Sequence, residues 1–192
     1  MLAAPGGWID LLPDENLTGW VRVPVGEPLG KNQWKVDRAN RTLICEGDGG
    51  HEMLLLDKEY SDFVFQVEWR FTPREGDPRY NSGVYVRNSR DGVIWHQAQT
   101  GGGSGGYLFA DTLVKGAKQR VNLRPQMKEN RVRPAGEWNT YEITCQGPKV
   151  SLKVNGEVTS EFTEAEVLKG YVGVEAEGYR IEFCNMRLRP LP

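Results

Sequence analysis

Between positions 62 and 72 a large apolar residue occupies every second position without a break. Phe63, Phe65, Val67, Trp69 and Phe71 interleave with Val64, Gln66, Glu68, Arg70 and Thr72. Only an extended chain, whose side chains change face at every residue, gathers the first set on one side. A face carrying four aromatic rings and a valine must be covered by another apolar layer, because leaving it wet would forfeit most of the driving force for folding. The same period-2 pattern recurs in shorter form, predicting strands at 34–36, 42–46, 53–55, 81–87, 93–99, 137–146, 149–154, 157–162, 170–177 and 179–189. Turn-forming residues separate them: 88–92 (NSRDG), Gly147-Pro148, Gly178, and above all Asn155-Gly156, the strongest short hairpin signal because both central positions favour positive φ.

Many short strands, frequent Gly/Pro/Asn turns and almost no helical period predict an all-β, two-sheet antiparallel jelly-roll sandwich. The one helical turn expected is at 163–168, where Thr163 stands as cap before Glu164 and Glu166. With 192 residues a single domain spans the chain, residues 1–7 being expected as a flexible N-terminal remnant. Positions 110–134 are basic, interrupted by Pro125 and without clean periodicity, which suits a long functional loop or a partner surface.

Net charge −2 argues against nucleic acid or an anionic membrane surface as partner, and no stretch is apolar enough for membrane insertion. Cys45, Cys145 and Cys184 are odd in number and too widely spaced for a zinc motif. At most one disulfide could form. No cofactor is expected. A structural calcium remains an option where His51 lies beside Glu46, Asp48 and Glu52, although the spacing better suits a solvated loop.

The chemistry concentrates in 81–107, NSGVYVRNSRDGVIWHQAQTGGGSGGY. Alternation places Asn81, Gly83, Tyr85 and Arg87 on one strand face, and Val93, Trp95, Gln97 and Gln99 on one face of the next. Planar amides and guanidinium groups fork-bond vicinal hydroxyls, and aromatic rings cover apolar C–H faces, which is the chemistry of sugar recognition. An ordinary solvated sheet face explains the same pattern about as well. His96 falls in phase with Ile94 and Ala98, so it reads as a packed structural histidine. The run 101–106 has no strand-to-helix context for a phosphate loop and suits a mobile rim.

Several stretches in order, GWIDLLPDENLTGW, DFVFQVEWRF, NSGVYVR, Gln97 and Gln99 before a Gly-rich loop and Tyr107, GEWNTYEITCQG, KVNGE and GVEAEGYRIEFCNMRLRPL, resemble the 3-keto-disaccharide hydrolase domain family. The resemblance implies a concanavalin A-like jelly roll and cleavage of glycosides oxidised to a ketone at C3. It also implies an exported bacterial protein, so a periplasmic or extracellular location is expected, with any signal peptide lying outside these residues. Two positions depart from the family pattern. Members often carry Glu-x-Gln where this chain has Gln97-Ala98-Gln99, and Gln and His where it has Glu175 and Glu177.

A C3 ketone acidifies the C2 proton, so a carboxylate base, a proton donor to the leaving oxygen and a cation or hydrogen-bond donor at the ketone are required. Glu175 or Glu68 is expected as acid/base and Arg87 as oxyanion stabiliser. Asn81, Tyr85, Trp95, Gln97, Gln99, Tyr107, Arg70 and Glu177 are expected to bind substrate, a small saccharide or keto-saccharide. Glu68 and Arg70 equally suit ion pairing with a neighbouring strand. An ordinary two-carboxylate glycosidase would use the same groups. The rival readings are a noncatalytic carbohydrate-binding module on the same face, and an interaction domain docking through the basic 115–133 segment.

Overall fold

The computed structural model of the chain describes residues 3–4, 7–76 and 78–192; for residues 3–4 only the backbone is described. Most of the N-terminal stretch expected to be flexible, 1–7, therefore lies outside the described residues. In chain order the strands are β1 (Ala3–Ala4), β2 (Trp8–Asp10), β3 (Trp20–Pro24), β4 (Trp34–Asp37), β5 (Thr42–Cys45), β6 (Glu52–Tyr60), β7 (Phe63–Phe71) and β8 (Ser82–Asn88). They continue with β9 (Trp95–Thr100), β10 (Leu108–Val114), β11 (Ala117–Asn122), β12 (Asn139–Gln146), β13 (Lys149–Val154), β14 (Glu157–Phe162), β15 (Gly170–Ala176) and β16 (Ile181–Pro190).

All pairings are antiparallel and fall into two sheets. The back sheet runs β1-β2-β16-β7-β12-β13-β14, with β5 also pairing β16 and β4 pairing β5; the front sheet runs β11-β10-β9-β8-β15-β6-β3. The alternation that opened the argument places Phe63, Phe65, Val67, Trp69 and Phe71 of β7 between the layers, each at most 1% exposed. Val84 and Val86 of β8, Ala98 of β9 and Val172, Val174 and Ala176 of β15 meet them from the front sheet. Each large apolar side chain so enclosed contributes about 1.5–3 kcal/mol relative to exposure. The outward sides of the same front strands are thereby left to carry the polar residues.

Three expectations need correction. No helix forms at 163–168; the stretch crosses between sheets as irregular chain, tied by Ala165 N–H to the Pro148 carbonyl at 3.0 Å. The opaque segment 110–134 contains most of a hairpin, β10–β11, whose two-residue turn uses Lys115 and Gly116, both at positive φ. A short 3₁₀ turn follows at Arg124–Gln126. All three cysteines are free.

The third correction concerns Arg87. The β8–β15 pairing goes from Tyr171↔Asn88 to Gly173↔Tyr85, three residues on β8 against two on β15. This β-bulge, with Arg87 at φ +50°, reverses the side-chain parity. Instead of joining Tyr85 on the outer face, Arg87 is 0% exposed. It donates to the Ser61 carbonyl (3.0 Å), the Gly147 carbonyl (2.7 Å) and Asp62 Oδ1 (2.9 Å), pinning the β6–β7 link between the sheets and the β12–β13 turn of the back sheet.

Candidate functional site

The outer face of the front sheet holds a hollow of about 420 Å³. Its floor follows the strand register. Tyr85 pairs with Gln97 across β8–β9, Gln97 with Phe109 across β9–β10, and Trp95 with Asp111, which in turn faces Arg120 on β11. On the other side, Glu175 of β15 faces Met53 of β6. Alternation from Glu175 carries Glu177 into the same space.

Glu175 is the centre of this arrangement and is 3% exposed. Its Oε1 accepts from the Tyr85 hydroxyl and meets His51 Nε2 at 2.8 Å, while its Oε2 accepts from the Gln97 amide. Gln97 lies on β9 and must cross β8 to reach β15. It can do so because Gly83 lies below: a Cβ there would sit 2.0 Å from Gln97 Nε2. Gln99 donates its amide to Asn81 Oδ1 and to the Ser82 carbonyl (3.2 Å), completing the amide-lined end.

The electrostatics follow from the crowding. Hydrogen bonding to Glu175 raises the His51 pKa above its ordinary value, with burial opposing. Burial, and then the neighbouring Glu175 charge, raise Glu177, which favours its protonated form. Burial also lifts Tyr85 well above the usual phenol range, so its hydroxyl keeps its proton and donates a hydrogen bond to Glu175 while accepting from the Gln97 amide at 3.4 Å. Among the described residues, no Lys or Arg forms an ion pair with either glutamate; His51 alone does, at 2.8 Å from Glu175 and 3.9 Å from Glu177.

His51, Glu175 and Glu177 are also the one set among the described residues whose donor atoms, all within 4.8 Å of one another, could hold a metal ion. The calcium option at 45–52 is not supported in its own loop. Asp48 pairs with Lys31, Glu46 with Lys35 and Arg180, and Glu52 turns inward to Arg22 and the Trp34 indole.

Of the expected site residues, Asn81, Tyr85, Trp95, Gln97, Gln99, Glu175 and Glu177 line the hollow together. Glu68 and Arg70 do not. Their parity within β7 was read correctly, but β7 belongs to the back sheet, so they face the far side of the molecule. There Arg70 binds Glu182 at 2.8 Å and lies over Trp138, and Glu68 meets Cys184. Tyr107 is half-buried beside Arg124 and does not line the hollow; it lies just before β10 begins at Leu108. His96 faces inward, 2% exposed and bonded to Thr112, its pKa pushed down to about 4 by burial.

Sequence reasoning missed His51, Met53, Phe109, Asp111 and Arg120. His51 precedes β6, which pairs with β15, so the signal lay in a long-range pairing. Phe109, Asp111 and Arg120 belong to the hairpin whose turn carried no Asn-Gly.

Residues 7–189 match the family described as the 3-keto-alpha-glucoside-1,2-lyase-like domain. The chain belongs to that family. Its function is therefore carbohydrate-related. Among solved structures it is similar to a candidate glycosyl hydrolase from Parabacteroides distasonis (TM-score 0.69, 17% identity, 97% of this chain and 94% of that one). It is also similar to the carbohydrate-binding module CBM66 from Bacillus subtilis (TM-score 0.66, 14% identity, 89% and 95%) and to a β-glucanase from Bacillus licheniformis (TM-score 0.62, 11% identity, 98% and 100%). At these identities the likeness establishes the jelly-roll sandwich fold and nothing finer. No curated protein matches the chain in sequence.

The family departures acquire a geometry here. Gln97 and Glu175 hydrogen-bond to each other, so a carboxylate placed on β15 instead of β9 stays within one bonded pair. His51 similarly supplies an imidazole beside Glu177.

Proposed function

We propose that the protein cleaves 3-keto-glycosides by elimination across C1–C2 followed by hydration, with net hydrolysis. The observation that carries this reading is Glu175, a carboxylate held by Tyr85, Gln97 and His51 in a sugar-sized hollow with a second carboxyl, Glu177, beside it.

Glu175 accepts the C2 proton, and the electron pair forms an enolate whose charge develops on the C3 oxygen. With Arg87 enclosed elsewhere, His51 and the Gln97 amide are the donors that meet that charge. The enolate expels the C1 substituent, and Glu177, its pKa raised by burial and by Glu175, gives its proton to the leaving oxygen. Water then adds at C1, giving a proton back to Glu177, and Glu175, whose proton exchanges with solvent once the leaving group has gone, protonates C2. Each step uses side chains of this chain alone, so no cofactor is needed. On this reading the substrate comes from an enzyme that oxidises a glycoside at C3, and we place the reaction in a bacterial periplasm or exterior.

A noncatalytic saccharide-binding module is the second reading, favoured by the near-complete enclosure of Glu175. Turnover of a 3-keto-glucoside by wild type and Glu175→Gln separates the two. A general base contributes about 10²–10⁴-fold, so the variant should lose at least ~100-fold in kcat. Wild type that binds the compound without turnover would favour the module, and equal rates in both proteins would end the assignment of Glu175.

A further inference from the structure

The hollow has two ends of different chemistry. One is the Glu175, Glu177 and His51 cluster; the other is built by the β10–β11 hairpin against β9. There the Trp95 and Phe109 rings meet edge to face at 5.2 Å, and Tyr85 meets Trp95 at 6.3 Å. The Arg120 guanidinium lies 5.4 Å from the Trp95 ring centre and 5.1 Å from that of Phe109. It is held there by a two-point ion pair with Asp111, Arg120 Nη2 reaching Asp111 Oδ2 at 2.8 Å. Asp111 is itself only 16% exposed, so the pair is a fixed part of the wall. Trp95 and Phe109 are only half-buried, and both face the hollow.

A volume of 420 Å³ corresponds to about fourteen waters at ~30 Å³ each. Trp95 and Phe109 line the same hollow as Glu175, and Tyr85, which bonds Glu175, touches Trp95, so the aromatic wall lies beside any sugar held over Glu175. Most of that wall is aromatic ring, and the Arg120 Nε and Nη2 edge is taken up by Asp111. What remains is a flat, polarisable surface suited to the C–H face of a sugar ring or to an aryl group.

Resting on the keto-glycoside reading, we propose that Trp95, Phe109 and the Arg120–Asp111 pair form the leaving-group subsite. Trp95 is its principal contact and Arg120 the residue that positions the rings. The subsite takes leaving groups with a flat apolar face, a second pyranose or an aryl group, and gains nothing from a small alkoxide. Trp95 is thus a specificity determinant whose contribution scales with the leaving group and not with the oxidised sugar.

The test compares kcat/KM for a 3-keto-disaccharide with that for methyl 3-keto-glucoside, in wild type, Trp95→Ala and Arg120→Ala. The expected result in Trp95→Ala is a loss on the disaccharide about five- to tenfold or more greater than the loss on the methyl compound. Arg120 has a side chain 59% exposed, so Arg120→Ala should fold normally and show a smaller loss of the same selectivity. Parallel losses on both substrates, or no loss on either, would overturn the subsite. Should wild type turn over neither compound, the keto-glycoside reading fails by itself. The subsite is then judged by calorimetric titration of the unoxidised disaccharide, where undiminished affinity in Trp95→Ala overturns it and weakened affinity supports it.

Discussion

Replacing Arg87 by methionine tests whether this residue, which the alternation of β8 places in the site, is instead a tie between the sheets. The guanidinium is 0% exposed and makes three hydrogen bonds, to the Ser61 and Gly147 carbonyls and to Asp62. Bonds to a charged group are worth about 1.5–3 kcal/mol each, which would sum to roughly 5–9 kcal/mol if nothing replaced them. Asp62 retains 29% exposure, so its carboxylate and the nearby carbonyls partly rehydrate, and the methionine chain fills some of the vacated volume. The expected loss is therefore about 4 kcal/mol, within the ~3–5 kcal/mol typical of breaking a buried pair from one side. For a domain of this size that corresponds to a fall in Tm of roughly 10 °C. Urea denaturation followed by circular dichroism measures the loss, and activity per folded molecule at low temperature should be retained. A loss below about 1 kcal/mol, or a fully folded variant without activity, would refute the structural assignment.

Gly83→Ala should leave the fold intact but push the Gln97 amide off Glu175, because the new Cβ would lie 2.0 Å from Gln97 Nε2; turnover should fall about tenfold or more, ~1.4 kcal/mol of transition-state stabilisation. Unchanged turnover would show that the Gln97 contact is dispensable. His96 has a folded-state pKa of about 4 against an ordinary 6.5, so the unfolded chain takes up the proton first. Stability contributed above pH 6.5 is lost as pH falls from 6.5 to 4, by about 3 kcal/mol in all. His96→Gln should flatten the denaturation midpoint over that window relative to wild type; the opposite shift at His51 is common to both proteins and cancels. Equal slopes would contradict the neutral buried imidazole. Dialysis against a chelator should leave turnover of a 3-keto-glucoside unchanged if His51 alone balances Glu175 and Glu177; recovery of lost activity on adding a divalent ion would assign those three side chains to a metal.

The strand pattern was legible because the two-residue period is a local property. β13 and β14 emerge at their expected bounds around Asn155-Gly156, and the core face of β7 follows from its sequence alone. Facing within a strand was legible too, which is why Tyr85, Gln97, Gln99 and Glu175 converge as expected. Alternation, however, says nothing about which sheet a strand joins. Glu68 and Arg70 were lost to the back sheet for that reason. It is equally blind to a bulge, and a single left-handed residue at Arg87 turned the expected oxyanion donor into a buried tie. The partner of Glu175 that no local pattern could supply is His51, 124 positions away in sequence and brought beside it only by the β6–β15 pairing.

The central claim is that Glu175 removes the proton from C2 of an oxidised sugar. Cleaving a 3-keto-glucoside in D₂O and reading the product by mass spectrometry and NMR addresses it directly, with an enzyme-free control for spontaneous exchange beside the ketone. Elimination and rehydration should place one solvent deuterium at C2 of the released sugar in wild type, and Glu175→Gln should slow that incorporation and the release together. Released sugar that keeps its original C2 hydrogen, together with an unchanged rate on substrate deuterated at C2, would mean displacement at C1 without proton removal, and would contradict the account.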